Sequence, residues 1–290
     1  MKKINTGLAL SIAMALAATG GVALADNKGK NEGNQNVDNG PACSALAAAL
    51  GSNLNGIQAK LKTAVVSAAT TEQSGIDLNM WATLVNRDGV VCAVAFSGAN
   101  RGAQWPGSRV ISAQKANTAN AFSLDALALS TANLYAAVQP GGSLFGLQHS
   151  NPVDTGVAYR GPAKNFGQPN DPMVGERVGG VNVFGGGLAL YDINHHVIGG
   201  VGLSGDTSCA DHAIAWRVRN SLKLDNFGTT VKGVGPNASV PDGIVFDIAG
   251  GISAGGFGHP TCLNSGGPGP NSGNDPAASQ AYANGLPAVQ

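Results

Sequence analysis

The stretch FGGGLALYDINHHVIGGVGLSGDTSCADHAIAWRVRNSL, residues 184–222, has the clearest structural pattern in the chain. Two apolar runs, 187–191 and 197–204, flank a polar turn, and this arrangement predicts a β-hairpin. The Ser208-x-x-Asp211 pair has capping-box spacing, which predicts a helix that begins near Ser208. The helical period predicts that Ile214, Val218 and Leu222 form the buried face of this helix. It predicts that Arg217, Arg219 and Lys223 are exposed to solvent.

Similar patterns upstream predict two more helices and another hairpin. Apolar residues recur at helical spacing over 57–68, which predicts an amphipathic helix. Residues 80–86 and 90–97 flank a short Arg-Asp-Gly turn and predict a hairpin. Residues 108–122 are mostly small and predict a closely packed helix. The order of these elements predicts an α+β fold in which helices cover an antiparallel sheet.

The two ends of the chain differ in composition from this central part. Residues 1–25 combine two lysines, a short apolar core and a small-x-small cleavage motif, which predicts a signal peptide. Residues 26–42 have the composition of a flexible linker, and residues 263–290 that of a disordered tail. We therefore expect one ordered domain over 43–262, in a protein exported to the periplasm or the cell exterior.

Charge balance and hydropathy exclude two classes of partner. Seventeen basic residues balance seventeen acidic ones, so no net field attracts nucleic acid or anionic lipid. Beyond the predicted signal peptide, no apolar run is long enough to span a bilayer. We expect neither a nucleic-acid partner nor a membrane span.

The chain contains four cysteines, which in an exported protein are expected to form two disulfides. We expect the pairs Cys43–Cys92 and Cys209–Cys262, although four cysteines permit three pairings. Two short motifs, C-x-x-H and H-x-x-C, also have the ligand types and pair spacing of a structural zinc site. The alternative to the second disulfide is a zinc site whose ligands are Cys209, His212, His259 and Cys262.

Several of these segments together resemble the GlcG/HbpS-like family of haem-binding, haem-degrading domains. The similar segments are the hairpin and helix start 184–211, the helical run RVISAQKANTA at 109–119 and the turn VNRDG at 85–89. The resemblance implies a profilin-like antiparallel sheet of about five strands, tetrapyrrole binding and homo-oligomers.

The resemblance covers roughly residues 45–125 and 175–225, about half of the chain without its predicted signal peptide. Ala189 stands where the family has proline. Residues 136–175 form an insert that the short domains lack, and residues 225–262 form an extension tied by the second predicted disulfide.

Haem iron usually takes a His, Cys, Met or Tyr ligand beside an apolar slot. The absence of C-x-x-C-H excludes covalent c-type attachment. The pattern favours an exposed turn for His195 and His196 and a strand position in or beside the core for Tyr191. The candidate haem pocket comprises Lys115, Thr118 and Ser112, carried over from the resemblance, together with His149 of the insert.

Two functional hypotheses follow from the sequence. The first is an exported haem-binding protein, with haem degradation or redox sensing as its further role. Haem degradation is then the one enzymatic activity to consider. The second is an exported structural module of the same fold that binds a metal or a protein and no tetrapyrrole.

Overall fold

The centre of the fold is a four-stranded antiparallel sheet, in a computed structural model that describes residues 41–290. Strands β1 (Trp81–Asn86) and β2 (Val91–Phe96) form one hairpin, and β3 (Gly187–Tyr191) and β4 (Val197–Ser204) form the other. β1 pairs with β4, which gives the order β2-β1-β4-β3. Both predicted hairpins and the α+β class are confirmed. The predicted signal peptide 1–25 lies outside the described residues, as does the linker 26–42 except for its last two residues.

The sheet has four strands where the resemblance implied about five, because irregular chain covers both of its edges. At the β2 edge, Val91 exchanges backbone hydrogen bonds with Gly175 and Glu176. Gly175 and Gly179 both have positive φ, which ends any regular extended pairing there. At the β3 edge, Tyr191 bonds to the Leu224 carbonyl and pairing stops after one bridge.

Helices cover both faces of the sheet. Helices α2 (Ile57–Thr71) and α6 (Ser208–Ser221) pack on one face, and α3 (Ser108–Ala121) packs on the other. The first face forms the main core and the second a smaller core around Trp81. The apolar stripe predicted for α2 is confirmed, since its members are buried: Ile57, Leu61, Val65 and Ala68.

Helix α3 approaches the sheet so closely that its backbone touches the strands. A Cβ on Gly202 would lie 2.0 Å from the Ser112 carbonyl oxygen, and one on Gly200 would lie 2.3 Å from that of Ala116. Side chains there would therefore push the helix away. The glycines of β4 and the small residues of α3 together allow the helix and the strand to pack at this short distance.

The remaining elements are short and lie in the connections. The helices are α1 (Ser44–Ala49), α4 (Leu147–Ser150), α5 (Thr155–Ala158) and α7 (Pro276–Asn284), with 3₁₀ turns at Leu54–Gly56, Thr131–Leu134, Ala136–Val138 and Ala163–Asn165. A two-stranded ribbon joins β5 (Ile248–Ala249) to β6 (Ile252–Ser253). Within residues 41–290 no helix has both the length and the apolar character that crossing a membrane requires.

Both predicted disulfides are present. Cys43 and Cys92 tie the first helical segment to β2, with their Cα atoms 5.6 Å apart. Cys209 and Cys262 tie the start of α6 to the extension, with a Cα separation of 5.9 Å. The second bridge holds the extension on the domain, as the sequence predicted.

The segment 263–290 is not disordered, which corrects the sequence-based expectation. It contains α7, whose Ala283 is buried, and Leu286 joins the main core. The Trp216 indole N–H donates to the Pro287 carbonyl at 2.7 Å. The ordered domain therefore continues past Cys262, because a few apolar residues follow the glycine- and proline-rich stretch and reach the core.

One side chain of α6 also differs from its prediction. Arg219, expected in water, is fully buried and forms a two-pronged ion pair with Asp242 at 2.6 and 2.8 Å. Its guanidinium also lies over the Trp216 and Phe227 rings. Asp242 of the extension is thus a buried counter-ion for Arg219, on a side of α6 that would otherwise face solvent.

Candidate functional site

Lys115, the first predicted pocket residue, lies on α3 in the interior of the protein. Its ammonium donates to Asp211 Oδ2 at 2.6 Å and to the Leu203 carbonyl at 3.0 Å. The other Asp211 oxygen accepts the backbone N–H groups of Gly205 and Asp206. Burial raises the pKa of Asp211 to about 6, and the Lys115 ammonium opposes that rise. The pair joins α3, β4 and α6, and these two hydrogen bonds use two of the three ammonium protons.

The other two α3 candidates are buried and hydrogen-bonded as well. Ser112 Oγ lies 2.8 Å from Thr83 Oγ1 and 2.8 Å from the Arg109 carbonyl. Thr118 Oγ1 donates to the Gln114 carbonyl and accepts the N–H of Asn182. The structure therefore brings Ser112, Lys115 and Thr118 together on the sheet-facing side of α3, where they serve as packing and hydrogen-bonding residues.

The histidines predicted from the sequence lie apart from these residues. His149 is exposed at the end of α4. His195 and His196 occupy the β3–β4 turn and are half-buried, with Nδ1 of His195 2.9 Å from the Asn226 carbonyl and Nδ1 of His196 2.9 Å from Asp125 Oδ2. Tyr191 is buried in β3 and its hydroxyl donates to the Leu124 carbonyl, which agrees with a core position. Burial raises the pKa of its phenol.

The predicted zinc ligands converge only in part. Ligand atoms of Cys209, His259 and Cys262 lie within 4.8 Å of one another, and the two sulfurs are joined in the disulfide. His212 does not belong to this group. It is fully buried, neither ring nitrogen has a hydrogen-bond partner among the described residues, and burial lowers its pKa to about 3. Burial also lowers the pKa of His259 to about 4.

A cleft that the sequence did not reveal lies where the insert meets α3. Its volume is about 580 Å³, within the range of small-molecule and cofactor pockets. Three parts of the chain form it: the first residue of β1, the loop and helix start 100–110, and residues 159–166 of the insert. We call it the aromatic cleft, and its lining residues are Trp81, Asn100, Arg101, Gly102, Pro106, Gly107, Arg109, Val110, Tyr159, Ala163 and Phe166.

The floor of the aromatic cleft is held by a buried ion pair. Arg109 donates to both carboxylate oxygens of Asp171 and to the Ala158 carbonyl, so the start of α3 anchors the insert. Its guanidinium lies 3.7 Å from the centre of the Phe166 ring, a favourable cation–π geometry. The insert is therefore a fixed wall of the cleft.

Trp81 leaves one donor in the cleft wall unsatisfied. Its side chain is 1% exposed, and its Nε1–H has no hydrogen-bond partner among the described residues. A buried donor without a partner costs free energy, so such groups often mark a place that a ligand or water occupies. Tyr159 and Arg101 add an exposed phenol and an exposed guanidinium at the rim. The cleft combines the rings of Tyr159 and Phe166 with the exposed guanidinium of Arg101, a setting suited to a flat ligand with anionic edges.

The aromatic residues of the insert were the one sequence signal for this cleft. Tyr159 and Phe166 lie in a stretch with no secondary-structure period, so no pattern placed them against Trp81. The sequence predicts only that residues 136–175 are an insert in the family domain, and the fold shows that part of this insert forms a wall of the cleft.

No curated protein matches the chain. Among solved structures, Klebsiella pneumoniae protein ORFY of family DUF336 is similar at 26% identity over 59% of this chain and 89% of that one, with a TM-score of 0.40. A PduOC:heme complex is similar at 23% identity over 56% of this chain and 89% of that one, with a TM-score of 0.39. HbpS is similar at 14% identity over 57% of this chain and 86% of that one, with a TM-score of 0.35. The family model described as haem degrading protein HbpS-like matches residues 57–219, more than half of the chain. The chain belongs to the HbpS-like family of haem degrading proteins.

Proposed function

We propose that this protein binds haem and that the aromatic cleft is the binding site. Membership of the HbpS-like family supports the ligand class. The observation that supports the location is a 580 Å³ cleft with aromatic lining residues and with the exposed guanidinium of Arg101 and the exposed phenol of Tyr159.

The residues of the cleft fit the chemistry of haem. A porphyrin is flat and apolar, and the rings of Tyr159 and Phe166 supply matching surfaces. Its propionates are anionic, and the exposed guanidinium of Arg101 is a suitable partner. Tyr159 offers a phenol, one of the side-chain types that ligate haem iron.

Bound haem would supply iron-centred redox chemistry, which is the basis for degradation or redox sensing as the further role. The protein's own contribution would be to offer the rings of Tyr159 and Phe166 to the porphyrin, with the insert limiting the access of water. The two disulfides persist in oxidising compartments, and for that reason we include export in the proposal. Homo-oligomerisation, implied by the family resemblance, is also part of it.

A hemin titration of the purified protein, followed by the Soret band, tests the proposal. We expect saturable binding at micromolar haem, and Ala163→Trp should weaken it at least tenfold because the larger side chain fills the cleft. Ala163→Ser is the matched control and should bind as the wild type does. Tyr159→Phe should alter the spectrum of the bound haem.

A third variant distinguishes the aromatic cleft from the pocket predicted on α3. Thr118→Val removes hydrogen bonds in the interior and leaves the cleft lining intact. Weaker haem binding in Thr118→Val together with normal binding in Ala163→Trp would place the site on α3. No saturable binding by the wild type would refute haem binding itself. Adding peroxide or a reductant to the complex tests for loss of the Soret band by degradation.

A further inference from the structure

The Cys209–Cys262 disulfide lies beside a histidine that is oriented as metal-binding histidines are. Sγ of each cysteine and a ring nitrogen of His259 lie within 4.8 Å of one another. A tetrahedral zinc site with Zn–S of about 2.3 Å and Zn–N of about 2.0 Å places its ligand atoms roughly 3.5–3.8 Å apart. Once the disulfide is broken, small side-chain rotations are therefore enough to bring these three ligand atoms to the distances of a zinc site.

Hydrogen bonds fix which ring nitrogen of His259 carries the proton. Nδ1 lies 2.7 Å from the Pro260 carbonyl, which can only accept, so Nδ1 carries the proton. Nε2 is then an acceptor, and it lies 2.7 Å from Ser208 Oγ. A ring N–H held by a backbone carbonyl is the arrangement that orients zinc-binding histidines, with the second nitrogen presented to the metal.

The start of α6 favours thiolates at the same place. Cys209 lies in the first turn of this 14-residue helix, where the helix dipole stabilises negative charge. The backbone N–H of Cys209 points at Cys262 Sγ at 3.1 Å. Cys262 is partly exposed, so a reductant can reach the bridge.

The other disulfide provides a contrast within the same molecule. Cys43 and Cys92 are both buried, and among residues 41–290 the sole group of three or more potential ligands is the one around Cys209. Only the bridge in the extension therefore has a third ligand in place.

We infer that the Cys209–Cys262 bridge is a redox-gated zinc site, a role independent of haem binding. A dithiol reductant transfers two electrons and two protons, breaking the S–S bond and itself becoming a disulfide. The two cysteine thiols then lose their protons to solvent as Zn²⁺ binds both sulfurs and His259 Nε2. Water completes the tetrahedron, and the metal replaces the covalent bridge between α6 and the extension.

Cobalt(II) serves as the spectroscopic probe for this site in the full-length protein. The chain is reduced with a dithiol under argon and passed through a desalting column, because the dithiol itself binds metal. We expect the reduced protein to bind one Co²⁺ with a thiolate charge-transfer band, and the oxidised protein to show none. His259→Gln should weaken the binding at least tenfold, whereas the exposed His149→Gln should not.

Three results would overturn the inference. They are the absence of a thiolate band in the reduced wild type, equal affinity in His259→Gln, and the same band in a Cys209→Ser/Cys262→Ser variant that keeps the other bridge. If reduction lowers the melting temperature, Zn²⁺ must restore part of the loss in the wild type and not in His259→Gln. A reduced protein that unfolds and is not rescued by Zn²⁺ also refutes the site.

Discussion

At the scale of single residues, buried charges explain much of how the helices are placed. A charge without a partner in the interior is strongly destabilising, so each one fixes the position of the group that neutralises it. Lys115 joins α3 to Asp211 on α6, and Arg219 joins α6 to Asp242 in the extension. These contacts give the small-residue helices a defined position that apolar packing alone would leave less specific.

The Lys115–Asp211 pair yields a prediction about stability. Lys115→Met leaves the Asp211 carboxylate buried without its counter-ion, and we expect a loss of about 3–5 kcal/mol in the free energy of unfolding. The matched control is Arg160→Met, which breaks an ion pair with Glu176 whose side chains are both at least 42% exposed. That variant should lose at most about 1 kcal/mol. Urea unfolding curves measure both, and equal losses would contradict a structural role for the buried pair.

At the scale of elements, the sequence predicts what local periodicity encodes and misses what distant segments supply. The hairpins and the stripe of α2 follow from regular spacing. Arg219 was assigned to water because its partner, Asp242, lies in a stretch without any period. The glycine and proline content of 263–290 predicts disorder, although Ala283 and Leu286 in this segment are buried against the domain.

A pair of leucine substitutions tests whether this last segment is part of the core. Leu286 is 6% exposed, and Leu286→Ala should lower the free energy of unfolding by about 2–5 kcal/mol. Leu263 lies in the same segment but is 60% exposed. Leu263→Ala should therefore change the free energy of unfolding by less than about 0.5 kcal/mol. Thermal and urea unfolding give both values. Matching effects would mean that the segment does not pack as described.

At the scale of the whole molecule, the architecture is a sheet between helical layers, to which the chain adds an insert and an extension. The order of elements was predictable because it depends on short-range pattern, whereas the sequence permits three disulfide pairings and the fold shows that the expected one is present. The aromatic cleft was not predictable, since Trp81, Arg101 and Tyr159 come from three separate segments. The candidates Lys115 and Thr118 lie on α3, and both side chains are buried in the interior of the protein.

Acid should destabilise the whole molecule through its buried histidines. The pKa of His212 is lowered to about 3 by burial, and an unfolded histidine has a pKa near 6.5. Between these values the unfolded chain binds the proton and the folded one does not, so stability falls as pH falls through this window. The slope approaches about 1.4 kcal/mol per pH unit for this residue.

The measurement compares unfolding free energies of the wild type and His212→Leu from pH 7 to pH 4. The advantage of the wild type over the variant should shrink steadily on acidification. Asp211, whose pKa is raised to about 6, acts in the opposite direction but is present in both proteins. Exposed His149→Gln should follow the wild-type curve. A constant difference between the wild type and His212→Leu would contradict a neutral buried His212.

The dependence of α6 on later parts of the chain has a consequence for biosynthesis. The helix is translated well before its partners, which are Asp242 for Arg219, Cys262 for Cys209 and Pro287 for Trp216. While these residues are still inside the ribosome, the nascent helix carries an uncompensated arginine and an open thiol on surfaces meant for the interior. The packing of α6 is therefore completed only at the end of synthesis, when its last partner, Pro287, has left the ribosome.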